Sequence, residues 1–275
     1  MTDFKSWNSF QEFYHAVHRK LRYIRTPEHE DFLKAVAETS LRRKIILKEG
    51  SNLWRARLGH EYKDERHGDD IFQIECAHSP DQMKPLPDKA SDGRANSKGI
   101  PCLYLANRKE TAVSEVRPWI GSYVSVGQFK ILRNVELIDC SRGHGPAVMC
   151  LPFKDDAELT PAEIENAVWT DIDHAFAEPM TRSDDSADYV ATQILSELFK
   201  REGFGGVVYK SNFGEKGYNI ALFDIEAADL INCALYQVDS VDIKFSQMDN
   251  MYFVRKYYDN KKKKGRRTAK INSAP

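Results

Sequence analysis

The stretch GIPCLYLANRKETAVSEVRP, residues 99–118, decides the reading of the fold. Ile100, Leu103 and Leu105 run with Tyr104 into Asn107, and the apolar spacing then changes from that of a short strand to that of a helix carrying Glu115. Asn107 is placed to cap this helix, Glu110 to complete a capping box, and Pro118 cannot extend it. A short strand leading into a short capped helix is a rigid support for one carboxylate beneath a pocket.

Upstream, residues 53–58 (LWRARL) read as a strand with Trp54, Ala56 and Leu58 on one face and Leu53, Arg55 and Arg57 on the other. Two guanidinium groups on one face make a planar donor fork for a phosphate or pyrophosphate, or else the solvated protection of an edge strand. Residues 59–97 turn polar, with prolines at 80, 85 and 87, and read as a long connection. It ends in the turn Asp92-Gly93-Arg94-Ala95-Asn96, which brings a third arginine just before the organising strand.

The N-terminal residues 1–49 read as a helical packing layer. Trp7, Phe10, Phe13, Tyr14, Val17 and Leu21 recur at helical spacing, and Thr26-Pro27 starts a second helix through Phe32, Leu33, Val36 and Ala37. Downstream, strands are expected at 123–131 and 135–140, then a glycine-rich loop at 141–145 with no phosphate-binding pattern. Thr160-Pro161 with Glu163 starts a further helix, and residues 188–202 form another that closes at Gly203. A strand at 205–210, the turn Ser211-Asn212-Phe213-Gly214, a strand at 218–224 and one or two more within 230–245 complete a domain spanning 50–250. Residues 256–275 carry a lysine and arginine run without apolar period and read as a disordered tail.

Bulk properties exclude several classes. Across 275 residues the net charge is −1, with 41% hydrophobic and 29% charged residues, so neither a nucleic-acid nor a membrane-surface protein is indicated as a whole. No basic leader or bilayer-length apolar run is present, which makes a cytoplasmic location the expectation. The cysteines, Cys76, Cys102, Cys140, Cys150 and Cys233, are five in number and scattered without a CxxC pair, so they read as reduced core thiols and no metal site is expected.

Together, WRAR at 54–57, GRAN at 93–96, the 99–118 stretch, and DYVATQILSELFKREGFGGVVYKSNFGEKGYNIALF at 188–223 resemble the RES domain family, in the family's order, over roughly residues 50–225. The resemblance implies an α+β fold: an ADP-ribosyltransferase-like, split and mostly antiparallel β core with surrounding helices. It implies a catalytic set of Arg55, Glu115 and Ser211, with Arg94 and Tyr104 also matching family positions. Arg57 and Asn212 stand beside these motifs as further binding candidates. The chain departs from small toxin members at Ala95, where they carry tryptophan, and at Gly205, where an aspartate is common.

The implied activity is degradation of NAD+ by cleavage of the nicotinamide–ribose bond, as a glycohydrolase or phosphorylase, in a toxin or defence role. NAD+ is then the substrate, inorganic phosphate a candidate acceptor, and an antitoxin or regulatory protein a candidate partner. Such cleavage passes through an oxocarbenium-like sugar, which a fixed carboxylate stabilises. Two other readings stand beside it: a mono-ADP-ribosyltransferase acting on a macromolecule, and a nucleic-acid-binding module working through Lys261–Lys264 and Arg266-Arg267.

Overall fold

The computed structural model describes residues 3–86, 89–144, 159–178, 186–213, 216–243, 245–248, 253–256 and 269–272. The chain divides into two compact units, residues 1–239 and 240–275. The first unit thus holds both the N-terminal helices and residues 50–239.

Helices α1 (Ser9–Arg19) and α2 (Pro27–Ser40) form where the aromatic spacing places them. Thr26 caps α2 by accepting from the His29 N–H, and Pro27 sits where a missing N–H costs nothing. The strands that follow are β1 (Lys44–Leu47), β2 (Asn52–Leu58), β3 (Glu61–His67) and β4 (Asp70–Cys76). After the short α3 (Pro80–Met83) come β5 (Leu103–Ala106), α4 (Lys109–Glu115), β6 (Tyr123–Ile131) and β7 (Val135–Asp139). Helices α5 (Pro161–Ala177) and α6 (Val190–Arg201) precede β8 (Gly206–Lys210), β9 (Tyr218–Leu222) and β10 (Ala228–Gln237).

Eight strands make one sheet in the order β1-β7-β8-β9-β5-β2-β6-β10. Every pairing is antiparallel except β7 with β8. Strand parity sorts the core into two layers. Ile138, Val207, Tyr209 and Ala221 pack with the helical layer of Phe10, Phe13, Trp169, Ile172, Leu195 and Phe199. Leu103, Leu105, Leu137, Val208, Ile220 and Leu222 face the other side.

The sheet is not evenly zipped. β2 pairs with β6 from Asn52 to Leu58, and β5 with β9 along its whole length. Between β2 and β5 there is a single pair, Trp54 with Ala106. A junction this short leaves main-chain groups to be satisfied by something other than a strand.

Two local expectations are corrected. Asn107 does not cap α4: the N-cap is Arg108, with no side-chain cap bond, and no capping box forms. Asn107 instead reaches β9, accepting from the Tyr218 N–H at 2.9 Å and donating to the Lys216 carbonyl at 3.2 Å. The stretch from Gly59 is not a plain connection, since β3 and β4 pair as a separate hairpin around Gly68, whose φ of 65° favours glycine. Its apolar residues are matched with polar ones across the ladder, so no alternation marks it. Within the one or two strands expected at 230–245, the described residues form one, β10, which begins earlier, at Ala228.

In the second unit, β11 (Phe253–Lys256) pairs with β12 (Ala269–Asn272). Residues 269–272 of the expected tail are therefore a strand, and the lysine run lies outside the described residues.

Candidate active site

α4 is short, and what holds it is its footing. Ala112, with Val113 and Val116, packs on Ala56, Ala106, Val124 and Val126, so the helix sits directly over the β5–β2 junction. Its last residue is Glu115. Two donors from distant strands meet that carboxylate at Oε1: Ser211 Oγ at 2.8 Å and Asn219 Nδ2 at 2.6 Å. Both donors are buried. Ser211 Oγ itself accepts from the Phe213 N–H at 3.1 Å, which leaves its own proton for Glu115. Among the described residues no hydrogen bond reaches Glu115 Oε2.

The loop carrying Ser211 is pressed against α4. The Ser211 N–H donates to the Gly217 carbonyl at 3.0 Å. A Cβ on Gly217 would lie 2.8 Å from Thr111 Oγ1 and 2.9 Å from the Phe213 carbonyl, so only glycine allows this approach.

Glu115 lines a cleft of about 480 Å³ together with Arg55, Arg94, Arg117, Tyr104, Tyr189, Tyr209, Trp54 and Asn219. That volume suits a small-molecule site, for which about 300–1,000 Å³ is usual. Among its lining residues three arginines face one carboxylate, which favours an anionic ligand. A second hollow, between α1 and α2, is lined by Asp3, Glu12, Glu28 and Asp31 and has the opposite character.

Arg55 answers the short junction. Its Nη1 donates to the Tyr104 carbonyl at 3.1 Å, while its Nε is covered and has no partner among the described residues. Burial, and then the neighbouring Arg57, pull its pKa down to about 10. Arg94 is placed by a locked turn. Gly93 and Asn96 bridge each other, Tyr104 Oη accepts from the Ala95 N–H at 2.9 Å and donates to Asn96 Oδ1 at 2.7 Å, and Gln193 of α6 donates to the Gly93 and Asn96 carbonyls, each at 3.0 Å. A Cβ on Gly93 would stand 2.5 Å from Tyr104 Oη. The guanidinium so positioned donates to the Glu178 carbonyl at 2.9 Å. Burial pushes the pKa of the Tyr209 hydroxyl up, and the Arg94 charge opposes that shift.

A family model for the RES domain matches residues 53–245, which take in every element that builds this cleft. The chain belongs to the RES domain family. Among solved structures it is similar to the crystal structure of the M. tuberculosis MbcT-MbcA toxin-antitoxin complex, at 11% identity and a TM-score of 0.37, over 74% of this chain and 92% of that one. No curated protein sequence matches the chain.

Within this RES domain, four of the sequence-predicted residues, Arg55, Arg94, Tyr104 and Glu115, line one cleft. Ser211 stands behind them as a buried support of Glu115. The Tyr104 hydroxyl is committed to the Gly93–Asn96 turn. Two candidates are elsewhere. Arg57 donates Nη1 to Gln82, with Oε1 at 2.7 Å, and Asn212 donates to the Ala177 carbonyl at 2.9 Å. Neither lines the cleft.

Sequence reasoning missed Asn219, Tyr209, Tyr189, Trp54 and Arg117 as cleft residues. Asn219 had a signal: a lone amide within the apolar run of β9, where an unbonded polar group would be costly. Of the cysteines, Cys102 and Cys140 are buried thiols, Cys76 and Cys233 are half-buried, and Cys150 lies outside the described residues. Among the described residues no helix is long and apolar enough to cross a membrane.

Proposed function

We propose that this cleft binds NAD+ and breaks its nicotinamide–ribose bond. The observation that carries the reading is Glu115, held by Ser211 and Asn219 in the same cleft as Arg55 and Arg94. In the reaction the bond from C1′ of the ribose to the ring nitrogen breaks, and its electron pair leaves with neutral nicotinamide. Positive charge develops at C1′, and the Glu115 carboxylate, preorganised rather than recruited, stabilises it. An acceptor oxygen, from water or inorganic phosphate, then bonds C1′, and water loses its proton. Arg55 and Arg94 take the two charges of the pyrophosphate. No general acid is required, because the leaving group departs uncharged.

The opening between β2 and β5 supports the ADP-ribosyltransferase-like, split β core that the family resemblance implies. A toxin or defence role, with an antitoxin or regulatory protein as partner, belongs to the same proposal. The purified chain is incubated with NAD+, with and without phosphate, and the products are identified by mass spectrometry. ADP-ribose marks hydrolysis, and its 1″-phosphate marks phosphorolysis. Label from the adenylate on protein instead supports the mono-ADP-ribosyltransferase reading, and intact NAD+ refutes the proposal.

A further inference from the structure

We infer that Arg117 is a third phosphate-binding residue of the cleft, taking an oxygen of the substrate's diphosphate. This rests on the proposed function. Two residues apart on an α-helix, side chains project in different directions, so a continued α4 would turn Arg117 away from Glu115. Both nevertheless line the cleft. The cause is the backbone: the helix stops at Glu115, and Arg117 takes a φ of 46°, alone among the described non-glycine residues in having a positive φ. Its N–H donates to the Ser114 carbonyl at 3.0 Å, closing the turn, and Pro118 bars further helix.

At such a helix end glycine is the usual residue, because a Cβ is strained in the left-handed region. The same chain uses glycine there in α6, where Gly203 has a φ of 91°. At the end of α4 it carries arginine instead. Glycine would make the turn without strain and would deliver no side chain to the cleft; an observed outlier of this kind at a site is ground for a functional reading.

The charge arrangement points to the ligand. Arg55 and Arg94 stand in the same cleft. A third guanidinium gives a diphosphate further donors in the fork geometry that phosphate oxygens accept. The ligand class is a nucleoside diphosphate, free or as part of a dinucleotide.

The test is Arg117→Gly, which deletes the guanidinium and relaxes the backbone together. ADP is the probe, its affinity read by calorimetry beside the melting temperature and the KM and kcat for NAD+. The expected result is ADP binding weaker by about 10-fold or more, as for a lost charge-assisted hydrogen bond, with an unchanged or higher melting temperature. KM for NAD+ rises by a similar factor while kcat stays within about threefold, and Arg117→Lys recovers part of the loss. ADP affinity and KM within about twofold of wild type would overturn the inference, as would a fall in kcat with KM unmoved, or wild-type protein that binds no ADP. Wild type that binds ADP yet leaves NAD+ intact refutes the function alone, and Arg117 is then judged on ADP.

Discussion

Glu115→Gln separates chemistry from architecture. The carboxylate accepts from Ser211 Oγ at 2.8 Å and Asn219 Nδ2 at 2.6 Å, both at Oε1. Glutamine keeps the same length and presents a carbonyl oxygen that accepts both bonds, so no buried donor is stranded. What is lost is charge assistance in two hydrogen bonds, about 1–2 kcal/mol in total. For a unit of this size each kcal/mol moves the melting temperature by about 2–4 °C, so a fall of about 2–8 °C is expected. Catalysis should suffer far more. Removing a preorganised charge from a developing cation costs on the order of 100-fold or more in rate, about 2.7 kcal/mol or above. The assay is nicotinamide release from saturating NAD+, with thermal melting run on the same preparation. A variant that melts within this range and still turns over within about threefold of wild type would refute the role given to Glu115.

Other substitutions test the supports. Arg55→Met should melt higher while losing activity, because a buried cation whose pKa is drawn down to about 10 is held at a desolvation cost. Since that pKa lies below the ordinary arginine value, the unfolded chain binds the extra proton and wild-type stability recovers only as pH rises above about 10. The melting advantage of Arg55→Met should therefore be constant at neutral pH and shrink only in strong alkali; a lower melting temperature at pH 7 would contradict this. Tyr104→Phe strips the Ala95 N–H and Asn96 of their partner and should cost about 1–3 kcal/mol, read by denaturant melts, with KM raised through a loosened Arg94. Ser211→Ala leaves Glu115 with Asn219 alone and the Phe213 N–H unpaired; kcat should fall by about 10-fold, and an unchanged kcat would show that Ser211 does not position the carboxylate.

Much of the fold was legible because its causes are local. Thr26-Pro27 and Thr160-Pro161 start α2 and α5 through bonds made within one turn, and the alternation around Trp54 gives a strand wherever that strand ends up. The β3–β4 hairpin was not legible, since Tyr62, Ile74, Phe72 and Ile71 lie opposite charged residues across the ladder. The same limit applies to Asn107, whose capping power is real but is outbid by β9, a strand more than a hundred residues away.

Residue chemistry along the chain determined that arginines, a helix-borne glutamate and a serine turn were available, and in which elements. Only the tertiary structure decided which of them meet. Arg55 and Arg57 share a strand face, yet β5 pairs with β2 only at Trp54, so Arg55 reaches across the junction to the Tyr104 carbonyl while Arg57 lies past it and bonds Gln82. Asn219 and Ser211 converge on Glu115 because β8 and β9 are neighbours and α4 rides on the adjoining junction. Side-chain parity is a property of a few consecutive residues, whereas lateral neighbours are set by strand order, and strand order is decided by the whole core at once.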